Sequence, residues 1–124
     1  MVRLGKVSRA LGRHGEDVAA RYLQGLGLEI LSRNWSCPHG ELDIVAYDDA
    51  RDALVFVEVK TRSGRGFGHP LEAITHDKAR RLYQLARLWL DATGRRARTI
   101  RVDAVGVLLA GQAPEITHVE GVAA

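Results

Sequence analysis

Apolar and polar positions alternate along this chain in two rhythms. Between residues 8 and 25 the apolar side chains Leu11, Val18 and Tyr22 recur at helical spacing, leading on to Leu26, with Ala10, Ala19 and Leu23 beside them. Ser8 has the side chain of an N-cap, and Gly25 and Gly27 read as a C-cap and turn, so a helix is expected from Ser8 to about Gly25. Residues 1–7, basic and unpatterned, read as a loose tail. The rhythm then shortens. Leu28–Trp35, Glu41–Tyr47 and Leu54–Arg62 read as strands, with a turn at Ser36–Gly40 and a polar loop at Asp48–Ala53 that makes the last two an antiparallel hairpin. Helical spacing returns from Thr75, a second cap, to Gly94. Leu82, Leu85, Ala86, Trp89 and Leu90 form its inward stripe, while Lys78, Arg81, Gln84 and Arg87 lie more outward. Arg101–Leu109 and Glu115–Val119 complete the strands, and Gly121–Ala124 reads as disordered. The order predicts a single α/β domain over residues 1–124, with a central mixed sheet flanked by helices.

Composition narrows the class. A chain of 124 residues, 46% hydrophobic and 27% charged, can fold without a disulfide or a structural metal. The lone Cys37 excludes an intrachain disulfide and a four-cysteine zinc site; with His39 it makes two ligands without partners. No apolar run reaches the ~20 residues of a membrane span. The N-terminus lacks a signal-peptide core, so a cytoplasmic protein with no membrane partner is expected. There is no GxSxG or P-loop sequence, and the GxGxG spacing within Ser63–Pro70 reads as flexibility. His14, His69, His76 and His118 are scattered, and Trp35 and Trp89 are assigned to the core.

Charge is segregated. Residues 1–40 carry +3, residues 41–60 carry −4, residues 61–101 carry +7 and residues 102–124 carry −3. Fifteen of the eighteen basic residues are arginine, the side chain shaped to fork onto phosphate. An acidic block between two basic ones points to a polyanionic partner.

The acidic block has a geometry. The third strand, Leu54 to Arg62, begins apolar on both faces, as a central strand does, and one face then turns ionic through Glu58, Lys60 and Arg62. On the second strand Glu41, Asp43, Val45 and Tyr47 share a face. If Tyr47 faces Leu54, Asp43 falls opposite Glu58 and Glu41 opposite Lys60. Paired residues have Cβ atoms about 4.5–5.5 Å apart, so the two carboxylates repel each other unless a divalent cation binds both. Mg²⁺ suits such oxygen ligands, and the Val59 carbonyl is a further one. Lys60 then stands where a cation can orient water or stabilise developing charge on a phosphate.

Asp43, followed by Glu58-Val59-Lys60 at the end of an apolar strand and preceded by a helical Glu16, resembles the PD-(D/E)XK nuclease signature. The blocks Gly15-Glu16-x-x-Ala19, Asn34-Trp35, Gly40-Glu41-Leu42-Asp43-Ile44-Val45 and Phe56 to Arg62 are similar to the YraN-like family of small bacterial proteins. The resemblance covers about residues 9–120. It implies a restriction-endonuclease-like fold of the Holliday-junction-resolvase-like group, with Asp43 and Glu58 as metal ligands, Lys60 as the catalytic lysine and Glu16 as the helix acid that completes the site. Glu41 matches a position that ligates metal or neutralises Lys60. Ser36 departs from the pattern, where relatives often have a basic residue. The expected function is Mg²⁺- or Mn²⁺-dependent hydrolysis of DNA, branched or otherwise structured, by in-line attack of water. Arg62, Arg65, Lys78, Arg81 and Arg87, within basic segments 62–65 and 78–101, hold the backbone. Junction resolvases act as dimers, so a homodimer comes with the resemblance, although no dimer surface is legible. The rival expectations are a non-catalytic nucleic-acid-binding protein that keeps the fold, and an interaction module for recombination or DNA uptake.

Overall fold

The apolar run that predicts a central strand is β3 (Ala53–Arg62), third of five strands in a sheet whose spatial order β1-β2-β3-β4-β5 follows the chain. The computed structural model describes residues 2–64 and 75–122. Helix α1 (Val2–Gly25) precedes β1 (Glu29–Cys37) and β2 (Gly40–Asp48); after β3 come α2 (His76–Thr93), β4 (Thr99–Leu108) and β5 (Glu115–Val119). Neighbouring strands are antiparallel except β3 and β4, which are parallel, with α2 in their connection. Parallel neighbours need such a crossover. Val55, Val57 and Val59 pack toward α1 with Ala19 and Leu23, while Leu54 and Phe56 pack toward α2 with Leu82, Leu85 and Trp89. The sheet is therefore covered on both faces. The Trp89 and Phe56 rings meet edge-on at 5.6 Å. No described helix is long and apolar enough to cross a membrane.

The caps of α2 are those the sequence implies. Thr75 Oγ1 accepts from Lys78 N at 3.2 Å, and Gly94 closes the helix in the left-handed region, φ 71°. Three expectations fail. The loose tail at residues 1–7 is helical from Val2, so position 8 lies within α1 and not at its start. Leu26 falls beyond the helix end and is 54% exposed; the turn through Gly27 delivers Leu28 to the core instead. Residues 121 and 122 are anchored, with Gly121 N donating to Asp103 Oδ1 at 3.0 Å and Val122 N to Val102 O at 2.8 Å. Residues 123–124 lie outside the described ones.

Asp103 is fully buried in β4, so its charge requires partners. Arg101 supplies a two-pronged pair at 2.8 and 3.0 Å, and His118 Nε2 lies at 2.8 Å. Burial pushes the Asp103 pKa up, but His118, Arg101 and the Gly121 amide outweigh it and hold the carboxyl below its ordinary range. His118 is thus a structural histidine, braced on its other nitrogen by Tyr22.

One close approach positions the site. A Cβ at Gly15 would collide with the Thr61 side chain, so only glycine lets α1 lie this near the end of β3. Gly15→Ala should lower stability by about 1–3 kcal/mol in urea denaturation, the usual range for overpacking. Combined with Thr61→Ala it should cost less than the sum of the two single changes, because the collision is shared.

Candidate functional site

The register inferred from Tyr47 and Leu54 holds from Asp48↔Ala53 to Ile44↔Val57 and stops there. The expected ladder pair of Asp43 with Glu58 does not form. Asp43 turns its carboxylate onto the β3 backbone, and Oδ2 accepts from Val59 N at 2.8 Å. Side-chain alternation breaks at the same place: Leu42 and Val45 both join the α2-side core, while Ile44 joins the α1-side core. Asn34 on the neighbouring strand takes a left-handed conformation, φ 56°. The ends of β2 and β3 therefore part around Asp43.

Two clefts meet where they part. One, of about 470 Å³, lies toward α1 and is lined by Glu16, Lys60, Thr61 and Arg62. The other, of about 210 Å³, lies toward α2 and is lined by His39, Lys78, Arg81 and Leu85. Glu41, Asp43 and Glu58 line both. The strand end places Glu58 and Lys60, the parting of β2 places Asp43, and the Gly15 contact brings Glu16 to the same edge.

The electrostatics follow from crowding. Burial, then the charge of Glu58, pushes the Asp43 carboxyl from 3.8 up to about 7, despite the Val59 hydrogen bond. Glu58, only 12% exposed, lies 3.3 Å from Lys60 Nζ. Burial works against the Lys60 charge, but the neighbouring Lys78 amine and the Glu58 carboxylate outweigh it and raise its pKa. Lys78 is held below the lysine range by Lys60, and then by burial. Of the two lysines, Lys60 keeps its proton the more firmly. Glu16 is raised by burial, partly offset by Asn34 and Arg33, and its buried Oε1 makes no hydrogen bond; Arg33 is 3.5 Å away.

The sequence-predicted residues are sorted by this geometry. Glu16, Asp43, Glu58, Val59, Lys60 and Arg62 share one cleft, and Lys78 and Arg81 border the other. Arg87 lines an adjoining groove. Arg65 and His69 lie outside the described residues. The C-terminal part of the expected basic segment is elsewhere. Thr99 pairs with Ala53, at the end of β3 opposite Glu58, so Arg95, Arg96 and Arg98 stand far from the cleft. Arg101 is spent on Asp103 and Glu120. Cys37 packs half-buried against the α2-side core, as do Trp35 and, more deeply, Trp89. Lys78 was expected to lie outward and is instead beside Lys60. A cation in the first turn of a helix opposes the helix dipole, and that anomaly marks it in the sequence.

Among the described residues no three acid, histidine or cysteine side chains form a ready-made metal cage. The donors present are the self-repelling Asp43 and Glu58, the Val59 carbonyl and the orphaned Glu16 oxygen. A hard divalent cation that keeps several waters fits this set; zinc does not.

Because folding raises the Asp43 pKa, it favours the protonated acid. That contribution is complete below about pH 4 and is lost as pH rises through about 7. Metal-free protein should lose on the order of 1–4 kcal/mol between pH 4 and pH 8 relative to Asp43→Asn, which keeps the acceptor for Val59 N without the charge. Parallel urea titrations of parent and variant measure the difference. A parent that gains on the variant with rising pH would make Asp43 a structural ion-pair partner.

Comparison with known proteins agrees with the sequence patterns. The family model described as "Uncharacterised protein family UPF0102" matches residues 15–107. A UPF0102 protein of Mycolicibacterium gilvum is 53% identical over 113 residues, covering 90% of this chain and 92% of its own length. One from Mycobacterium sp. strain KMS is 51% identical over 115 residues, covering 92% of this chain and 85% of its own. A third, from Mycobacterium tuberculosis, is 47% identical over 116 residues, covering 90% and 91%. Together, the match across the cleft-forming strands and these similarities over most of each chain establish that the chain belongs to the UPF0102 (YraN-like) family.

Proposed function

We propose that this chain is a metal-dependent endonuclease that hydrolyses phosphodiester bonds in DNA with branched or otherwise structured features. The observation that carries the reading is the convergence of Asp43, Glu58 and Lys60 where the pairing of β2 with β3 stops, with Asp43 pushed up to about 7 by burial and by Glu58. Such a pair of acids costs the fold stability, so a purely structural sheet end has no use for it.

Asp43, Glu58 and the Val59 carbonyl, with Glu16 beside them, would hold Mg²⁺ or Mn²⁺. When bound, such a cation polarises a phosphoryl oxygen and lowers the pKa of water. The chain's own groups do the rest. The Lys60 ammonium, fixed by Glu58, donates to a non-bridging oxygen of the phosphate under in-line attack. A phosphate beside Lys60 and Lys78 supplies the negative charge that lets both amines be protonated. Arg62 and Arg81, one in each cleft, contact phosphates on either side.

The 3.3 Å pair between Lys60 and Glu58 favours a second reading, in which Lys60 only balances charge in a non-catalytic nucleic-acid-binding protein. Substitution separates the two. Lys60→Arg and Lys60→Ala should both hold DNA within severalfold of the parent, since one contact among many carries little of the electrostatic term. Both should lose about 10²-fold or more in single-turnover cleavage, because arginine is planar and longer and cannot aim one donor at one oxygen. The assay uses linear, single-stranded, flapped and four-way DNA with Mg²⁺ or Mn²⁺. If the parent cleaves none of these and the variants bind as it does, the binding-protein reading replaces the nuclease.

A further inference from the structure

The α2-side cleft does not end at Arg81. A groove of about 380 Å³ continues from it along the outer face of α2, lined by His39, Arg81, Gln84, Leu85, Arg87, Leu88 and Asp91. His39, Arg81 and Leu85 line both spaces, so a strand leaving the acidic site passes directly into the groove. We propose that this groove is a subsite for one unpaired nucleotide flanking the phosphate under attack, and that it gives the enzyme a preference for single-stranded segments at branches and flaps. The inference rests on the nuclease reading above and names the substrate feature its site selects.

Size, chemistry and placement argue together. The volume falls in the range of small-molecule pockets, roughly 300–1,000 Å³, which admits a base with its sugar and excludes a duplex. The floor is apolar, formed by Leu85 and the half-buried Leu88, and suits the flat face of a base. Arg81 and Arg87, six residues apart on one helix, stand about 9 Å from each other along its axis. Both are exposed, and among the described residues neither pairs with an acid, so their guanidinium groups are available to phosphate or to stacking on a base. Gln84 and Asp91 offer donors and acceptors for a base edge that pairing leaves open.

The rim opposite α2 is held in place by Gly40. Its φ of 143° is a conformation that favours glycine, and an added Cβ would lie 3.3 Å from Leu85 Cδ1. The β1–β2 turn therefore sits tightly on Leu85 and carries His39 to the groove edge. A surface patch formed by chance has no need of so close a fit between a turn and a helix.

The test is an abasic scan on the parent protein. A labelled flapped DNA carries one abasic nucleotide, moved in turn through each position of the single-stranded arm, and equilibrium binding is read by fluorescence anisotropy in Ca²⁺. One position near the branch should weaken binding about 10-fold, the scale of one lost base contact, and its neighbours much less. The exposed variant Gln84→Ala and the floor variant Leu88→Glu should each flatten that profile while binding fully paired DNA of the same sequence as the parent does. A flat profile in the parent, with flapped DNA still bound, overturns the subsite and leaves the nuclease reading standing. No binding of any DNA overturns both. Loss of duplex binding in Gln84→Ala would make the groove a general DNA contact and overturn the subsite as well.

Discussion

The 2.8 Å hydrogen bond from Val59 N to Asp43 is the hinge on which the architecture of this cleft turns. Between Ile44 and Asp48 the strand β2 meets β3 through its backbone. At Asp43 a side chain takes over that duty and satisfies an amide that would otherwise be left without its strand partner. Substituting a carboxylate for a peptide group moves the β2 backbone away, and a gap opens at the sheet end without an orphaned donor. The same substitution draws the acid inward, toward Glu58 and away from water. Fold and site therefore share one bond, and the destabilising proximity of two acids is a direct product of how the sheet ends.

Across the gap the charges come in like pairs. Asp43 crowds Glu58, and Lys60 crowds Lys78. The crowding disfavours the charged forms of Asp43 and Lys78, and the Lys60–Glu58 contact is the one ion pair joining the two groups among the described residues. Acids gathered on one side and amines on the other are the electrostatic complement of a cation bound to a phosphate. That complementarity is fixed by backbone: the end of β3, the first turn of α2, and the Gly15 contact that holds α1 against Thr61.

Much of this was legible in the sequence because the fold obeys local rules. The double-sided apolar run of β3, the Thr75 and Gly94 caps and the hairpin register from Tyr47 and Leu54 all follow from periodicity and turn chemistry. What escaped was non-local. The alternation Glu41, Asp43, Val45 looks unbroken on paper, and nothing in it announces that Asp43 will bond to Val59 and reverse the facing of Leu42. Lys78 was set outward by its angle around α2, but the cleft lies off the helix end, where that angle has little meaning. The Asp103 cluster joins β4, β5, α1 and the chain end, so no short window contains both His118 and its partner. Position along the sheet mattered too: Arg95, Arg96 and Arg98 belong to the most basic stretch of sequence and stand at the opposite end from the acids.

The two kinds of cation in this chain are unevenly distributed. Arginine dominates and keeps its charge across the whole working range of pH, whereas two of only three lysines meet in the cleft. If the chain grips DNA as proposed, the arginine share of that grip would be nearly constant from mildly acid to strongly alkaline solution. The titrating groups that matter in that interval, Asp43 and Lys78, sit where the chemistry would occur. On the proposed nuclease reading, the arginine share of affinity and the chemistry of the cleft would respond to pH through different groups. A profile of one against the other would report the protonation of the cleft itself, free of the background drift that a lysine-rich surface imposes on such measurements.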